Sequence, residues 1–163
     1  MNAVAVPPDP RLQARLPGCS FADAYRVAAP AAPASLRELS QAVLAAPPGW
    51  AGWLMGLRNA IARRFKLKTE AGAADLRGGG RIGMFPVLAE SPEEMLLGLD
   101  DRHLDFRITV NLDAQASGTR QLTVTTLVRT NNRLGRTYLA IILPFHRLIV
   151  RSMLNRAARA WRR

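Results

Sequence analysis

Between residues 81 and 130 apolar and polar side chains alternate with a period of two, and beyond residue 133 the period lengthens to that of a helix. The first pattern predicts an antiparallel meander. "RIGMFPVLAE" and "EMLLGL" are divided by the turn-forming "SPE", and "RHLDFRITVNL" and "RQLTVTTLVR" by "DAQASGT", so each pair reads as a hairpin. Setting Leu112 opposite Leu122 places Val110 by Val124, Ile108 by Thr126 and Phe106 by Val128, and the even positions form an apolar face. His103, Asp105, Arg107, Thr109 and Asn111 then share the other face. That face is expected to be wet, with Asp105 in a cross-strand ion pair with Arg129.

Upstream, "SFADAYRVAA" (20–29) alternates as a first strand. Ser35 followed by Glu38 is a capping box, in which hydroxyl and carboxylate satisfy free N–H groups of a first helical turn. That helix runs to the breaker "PPG" at 47–49. A second helix, "WAGWLMGLRNAIARRF", carries Trp50, Trp53, Leu54, Leu57, Ile61 and Phe65 on one stripe, with Arg58, Arg63 and Arg64 off its centre. The stripe reads as core rather than as a heme or nucleotide platform. "GGGRIG" (78–83) has the spacing of a dinucleotide loop, but a loop precedes it and a strand follows, so no helix N-terminus receives a phosphate. Residues 1–18, with several prolines and no periodicity, are expected to be a flexible leader, and 19–163 a single domain.

The last segment, "LGRTYLAIILPFHRLIVRSMLNRAARAWRR", predicts one long helix. Tyr138, Ile142, Phe145, Ile149 and Met153 line one face, and Arg147, Arg151 and Asn155 the other. Pro144 deletes a hydrogen bond and should kink it. His146 projects beside Ile142, Ile149 and Met153, towards the sheet. There it either bonds a backbone carbonyl freed by Pro144 or serves as a buried general base.

Composition narrows the function classes. At 163 residues, 48% hydrophobic and 21% charged, the chain is globular and fits one domain. The single Cys19 rules out an internal disulfide and suits a reducing cytoplasm. The N-terminus lacks the apolar centre of a secretory signal, and "YLAIILPF" is too short to span a bilayer. No set of metal ligands is visible, and no cofactor is expected. The net charge of +11 attracts polyanions, yet all the cations except Lys66 and Lys68 are arginine, in an Ala- and Pro-rich chain such as a GC-rich coding sequence produces. No stacking aromatics alternate with them, which argues against nucleic acid. The ending "RAARAWRR", with Arg156, Arg159, Arg162 and Arg163 around Trp161, is a weak candidate for an anionic membrane or partner patch. A frayed, solvated tail is the plainer reading.

The phrases "SFADAYRV", "PPGWAGWLMGLRN", "RIGMFPVL", "GLDDRHLDFR" and "NNRLGRTYLAIILPFHRLIVRSML" closely resemble one bacterial family of unknown function, across about residues 20–158. Its members occur alone or joined to a short-chain-dehydrogenase-like domain; that partner is not seen in this chain, so no nicotinamide role transfers. The order of elements also resembles the helix-grip fold of the START and polyketide-cyclase (SRPBCC-like) superfamily. The resemblance implies an α+β fold: a curved antiparallel sheet wrapped around a long C-terminal helix, with two short helices after the first strand. It further implies a cavity for an apolar or aromatic ligand, lined by Phe106, Ile108, Val110, Val124 and Val128 from the sheet and Ile142, Phe145, Ile149 and Met153 from the helix, with Arg58 nearby. The alternative is an enzyme of cyclase or hydrolase type using His146 and His103, completed by Asp105, Arg107 or Arg58. No nucleophile–base–orienter set is visible to support it.

Overall fold

The structure, a computed structural model, describes residues 2–30, 34–45, 49, 80–114 and 118–162. Strands β1 (Val4–Val6), β2 (Phe21–Ala28), β3 (Arg81–Ile82), β4 (Phe85–Glu90), β5 (Glu94–Asp100), β6 (Leu104–Ala114) and β7 (Arg120–Thr130) form one sheet. Its order is β1-β2-β7-β6-β5-β4-β3, every neighbouring pair is antiparallel, and it does not close. Helix α1 (Leu36–Leu44) follows β2, and helix α2 (Arg133–Ala160) ends the chain. This is the expected α+β layout of a curved sheet with a long C-terminal helix. The second short helix expected at Trp50–Phe65, and Arg58 with it, lie outside the described residues.

The hairpin registers follow from alternation. Leu112 faces Leu122, Val110 faces Val124, Ile108 faces Thr126, Phe106 faces Val128 and Asp105 faces Arg129, as the pattern predicts. The "RIGMFPVLAE" segment differs: a turn at Gly83–Met84 divides it, and β3 folds back on β4. Leu88 is then bulged out of the β4–β5 ladder.

The inner face of the sheet carries the core. Tyr25, Val27, Met95, Leu97, Val110, Leu122 and Val124 are buried there against Leu36, Leu39, Val43 and Leu44 of α1 and Met153, Leu154, Ala157 and Ala158 of α2. Helix α1 sits over β5 and β6, whereas α2 lies along β2 and β7 and against α1. The two helices therefore share one face, and α2 touches the core mainly through its C-terminal half. By length and composition α2 is long enough to cross a bilayer, which the short apolar runs did not suggest, but its buried residues are seated on the sheet.

Helix α1 begins where the capping box places it. Ser35 Oγ accepts from the Glu38 N–H (3.2 Å), and the Glu38 carboxylate accepts from the Ser35 N–H (2.8 Å) and hydroxyl (2.9 Å). Those bonds hold the Glu38 carboxyl below its ordinary value. The box is therefore complete above the unfolded-state pKa and is lost as pH falls through the lower folded-state value. Ser35→Ala should lower stability by about 1 kcal/mol, read as a shift in the urea midpoint.

The outer face corrects an expectation. Asp105 (4%) and Thr109 (0%) are buried, as are Thr125 and Leu127, so the odd positions of β6 are not uniformly wet. The cover is the N-terminal segment that the sequence reads as a loose leader. After β1 pairs with the edge of β2, a short 3₁₀ helix (Pro10–Arg15) crosses the sheet. Arg15 pairs with Glu94 on β5, Leu16 is buried, and Arg129 on β7 donates to the Pro17 carbonyl at 3.2 Å.

Candidate functional site

The "HLDFR" stretch, whose base, acid and cation stand at alternate positions, resolves into three separate pairs. His103 precedes β6, and its Nδ1 accepts from Asn132 Nδ2 at 2.7 Å. The amide orientation is fixed, because Asn132 Oδ1 accepts the Gly135 N–H as the cap of α2 and Nδ2 also donates to the Arg102 carbonyl. The imidazole hydrogen therefore sits on Nε2, which is buried without a partner among the described residues. Asp105 takes Arg129 (Nη2–Oδ2 2.6 Å) and the Asp101 N–H (3.1 Å). Arg107 crosses Gly98, where a Cβ would stand 2.7 Å from its Cδ, to reach Asp100 at 2.6 Å. That guanidinium holds the Asp100 carboxyl below its ordinary value. Each of the three side chains thus has a partner of its own, and the His103 and Asp105 contacts tie the β5–β6 turn to the start of α2 and to β7.

His146 does face the sheet. Its partner is not a carbonyl freed by Pro144 but a carboxylate: Nε2 lies 3.2 Å from Asp23 Oδ1. The reason is positional. Pro144 and Ala140 are exposed, so the carbonyl that loses its N–H opens to water on the far side of the helix. Asp23, by contrast, is on the inner face of β2, opposite Thr126 and between Phe21 and Tyr25. A carboxylate only accepts, so Nε2 carries a hydrogen and donates it to Asp23. Phe21 meets the imidazole edge-on, with ring centres 6.1 Å apart.

The second carboxylate oxygen, Asp23 Oδ2, is buried with no partner among the described residues. Tyr25, buried two positions along, has its hydroxyl pushed above the ordinary tyrosine value by burial and by the Asp23 charge, with Arg147 and Arg151 pulling the other way. Sequence reading placed His146 correctly but passed over Asp23. The signal was the lone acid at an inward position of "SFADAYRV", opposite the one inward histidine.

The expected cavity wall divides along the length of the sheet. Val110, Val124, Ile108 and Met153 are packed into the core, and Phe106 and Ile149 lie against it. At the other end, around the His146–Asp23 pair, Phe21, Leu99, Ile142 and Phe145 are part-buried and Val128 is buried, while Phe106 between the two ends packs on Phe85 with ring centres 5.9 Å apart. His103 does not belong to this end: its carbonyl packs on Gly135, eleven residues before His146, or roughly 16 Å of helix. A separate hollow of about 310 Å³ lies on the outer face, lined by Arg15, Glu90, Glu93, Glu94, Asn111 and Asp113. It is polar, and Glu90 and Glu94 are already paired with Arg37 and Arg15.

These features define a class: an open antiparallel sheet with two helices on one face and a histidine–carboxylate pair where the longer helix meets β2. Residues 15–153 match the model of a family described as protein of unknown function (DUF2867), and the chain belongs to that family. No curated protein and no solved structure matches it.

Proposed function

We propose that the protein binds an apolar or aromatic small molecule between the N-terminal half of α2 and the Phe21–Phe106 end of the sheet, with the His146–Asp23 pair as its polar anchor. The observation that carries this reading is Asp23 itself. A carboxylate with one oxygen held by His146 and the other buried without a partner among the described residues is costly unless something donates to it. A ligand hydroxyl or amine meets that need, and the part-buried aromatic and aliphatic groups around it supply the apolar walls typical of such sites. The sheet-and-helix layout, similar to the helix-grip arrangement of START-like and polyketide-cyclase proteins, supports the same reading.

Native mass spectrometry of the protein as purified tests it. The expected result is a retained molecule in the wild type, absent from His146→Gln and Asp23→Asn. Glutamine still donates to Asp23, so His146→Gln should melt near wild type while the ligand loses its contact with the imidazole, and Asp23→Asn removes the charged acceptor, a loss of about tenfold or more in affinity. If His146→Gln melts lower than wild type and retains the same molecule equally well, the pair is structural and this site is wrong. A second reading rests on the geometry of the same pair: an imidazole oriented by a carboxylate is the base-and-orienter half of a catalytic set. It expects an offered ligand to be chemically altered by the wild type and unaltered by His146→Gln.

A further inference from the structure

Among the described residues the arginines differ in their partners. Arg11, Arg15, Arg37, Arg107 and Arg129 each have a carboxylate partner, and all lie in the N-terminal segment, α1 or the sheet. Helix α2 has Arg133, Arg136, Arg147, Arg151, Arg156 and Arg159 and not a single Asp or Glu. None of these six has an ion-pair partner among the described residues, and all are exposed. Arg26 and Arg81, off this helix, bond neutral oxygens instead, so α2 differs in carrying six exposed cations and no counter-charge of its own.

The same helix also exposes large apolar groups. Ile141 is 54% exposed and Leu148 58%, the two highest values for large hydrophobics in α2. At about 100° per residue, Arg133, Arg136, Ile141, Arg147, Leu148, Arg151 and Arg159 share one side of the helix. It is the side opposite Ile142, His146, Ile149 and Met153. Trp161, expected to mark the basic patch, turns the other way and packs against the core. The patch is therefore not the C-terminal tail but the length of the helix.

We propose that the solvent face of α2 docks flat on an anionic phospholipid surface, with the arginines at the headgroups and Ile141 and Leu148 entering the acyl boundary. An amphipathic helix with a cationic face and a few apolar side chains among the charges is the chemistry of interfacial binding. A spanning role does not fit, since Met153 and Leu154 are buried in the core and His146 is bonded to Asp23. The charge complementarity is one-sided and complete, because the helix brings no carboxylate to repel the lipid.

Sedimentation of the full chain with vesicles tests this. Binding is expected to vesicles of equal parts phosphatidylglycerol and phosphatidylcholine and not to phosphatidylcholine alone, and it should weaken as salt rises. Each basic side chain near such a surface is worth about 1 kcal/mol, so Arg147→Gln with Arg151→Gln should weaken binding roughly 25-fold. Leu148→Ser should weaken it several-fold without changing the salt dependence. Melting curves of these variants should match the wild type, because every altered side chain is exposed. The proposal is overturned by no sedimentation with the anionic vesicles at low salt, by equal binding to the neutral ones, or by an unchanged affinity in the double variant. It is equally overturned if the chain prefers a duplex oligonucleotide to the anionic vesicles.

Discussion

Arg129→Ala is expected to destabilise the protein by about 3–5 kcal/mol, and Asp105→Ala by less, about 1–3 kcal/mol. The two substitutions break the same ion pair, so the difference lies in what each leaves behind. Removing Arg129 strands a carboxylate whose side chain is 5% exposed, held otherwise, among the described residues, by the Asp101 N–H. Removing Asp105 strands a guanidinium that is 41% exposed and still donates to the Pro17 carbonyl. Water can solvate the second and not the first. Urea midpoints of the two variants and of the double variant give both the order and the coupling energy. The reverse order would mean that the Asp105 carboxylate reaches water, and the outer face would then be the wet surface that strand alternation alone describes.

That face shows where sequence reading stops. Alternation set the register of β6 on β7 correctly down to the Asp105–Arg129 pair, because a slip of one residue would move every apolar side chain to the wrong side. The capping box at Ser35 and the turn at "SPE" were equally local and equally legible. What covers the polar side of a sheet is not local. β1 has only three residues, and the 3₁₀ helix after it buries none of its own side chains, so neither leaves a periodic trace. Their positions follow from Arg15 reaching Glu94 and Arg129 reaching Pro17, contacts between residues some 80 and 112 apart in the chain. A propensity argument has no access to pairings at that separation.

The candidate site shows the same division. Helical spacing aimed His146 at the sheet, which the structure bears out, and the parity of β2 holds Asp23 on the inner face, a position the sequence reading did not use. Joining them required knowing that α2 lies along β2 rather than over the middle of the sheet. A helix centred over β6 would have brought His146 towards Ile108 and Val110 instead. The partner of His103 was illegible for a related reason. Its neighbours in sequence, Asp105 and Arg107, suggest chemistry, but its partner Asn132 comes from the β7–α2 junction, 29 residues away.

The same junction carries the remaining large effect. Gly135 is the third residue of α2, and a Cβ there would stand 2.0 Å from the carbonyl oxygen of His103. Two opposed terms decide what Gly135→Ala does. In a helix interior alanine is better than glycine by about 1 kcal/mol, and less so in the first turn. Against it, real contacts of this kind do not fall below 3.0 Å, so helix and turn must part by about 1 Å. Neither partner is a flexible side chain. The His103 carbonyl is held by the Asn131 N–H at 2.8 Å, and the Gly135 N–H is held by Asn132 Oδ1 at 2.9 Å. Moving them apart strains the Asn132 bonds to His103 and Arg102 and the Asn131 bond to the Asp101 carbonyl. The clash should win, with a net loss near the upper end of about 1–3 kcal/mol for overpacking. For a chain of this size that is a fall in melting temperature of roughly 2–4 °C per kcal/mol. Ala140→Gly, on the exposed side of the same helix, should also be destabilising, by about 1 kcal/mol, because only propensity acts there. Glycine would then be the better residue at 135 and the worse one at 140. A Gly135→Ala protein that melts higher than wild type would mean that α2 does not begin against the β5–β6 turn, and the alignment that brings His146 to Asp23 would go with it.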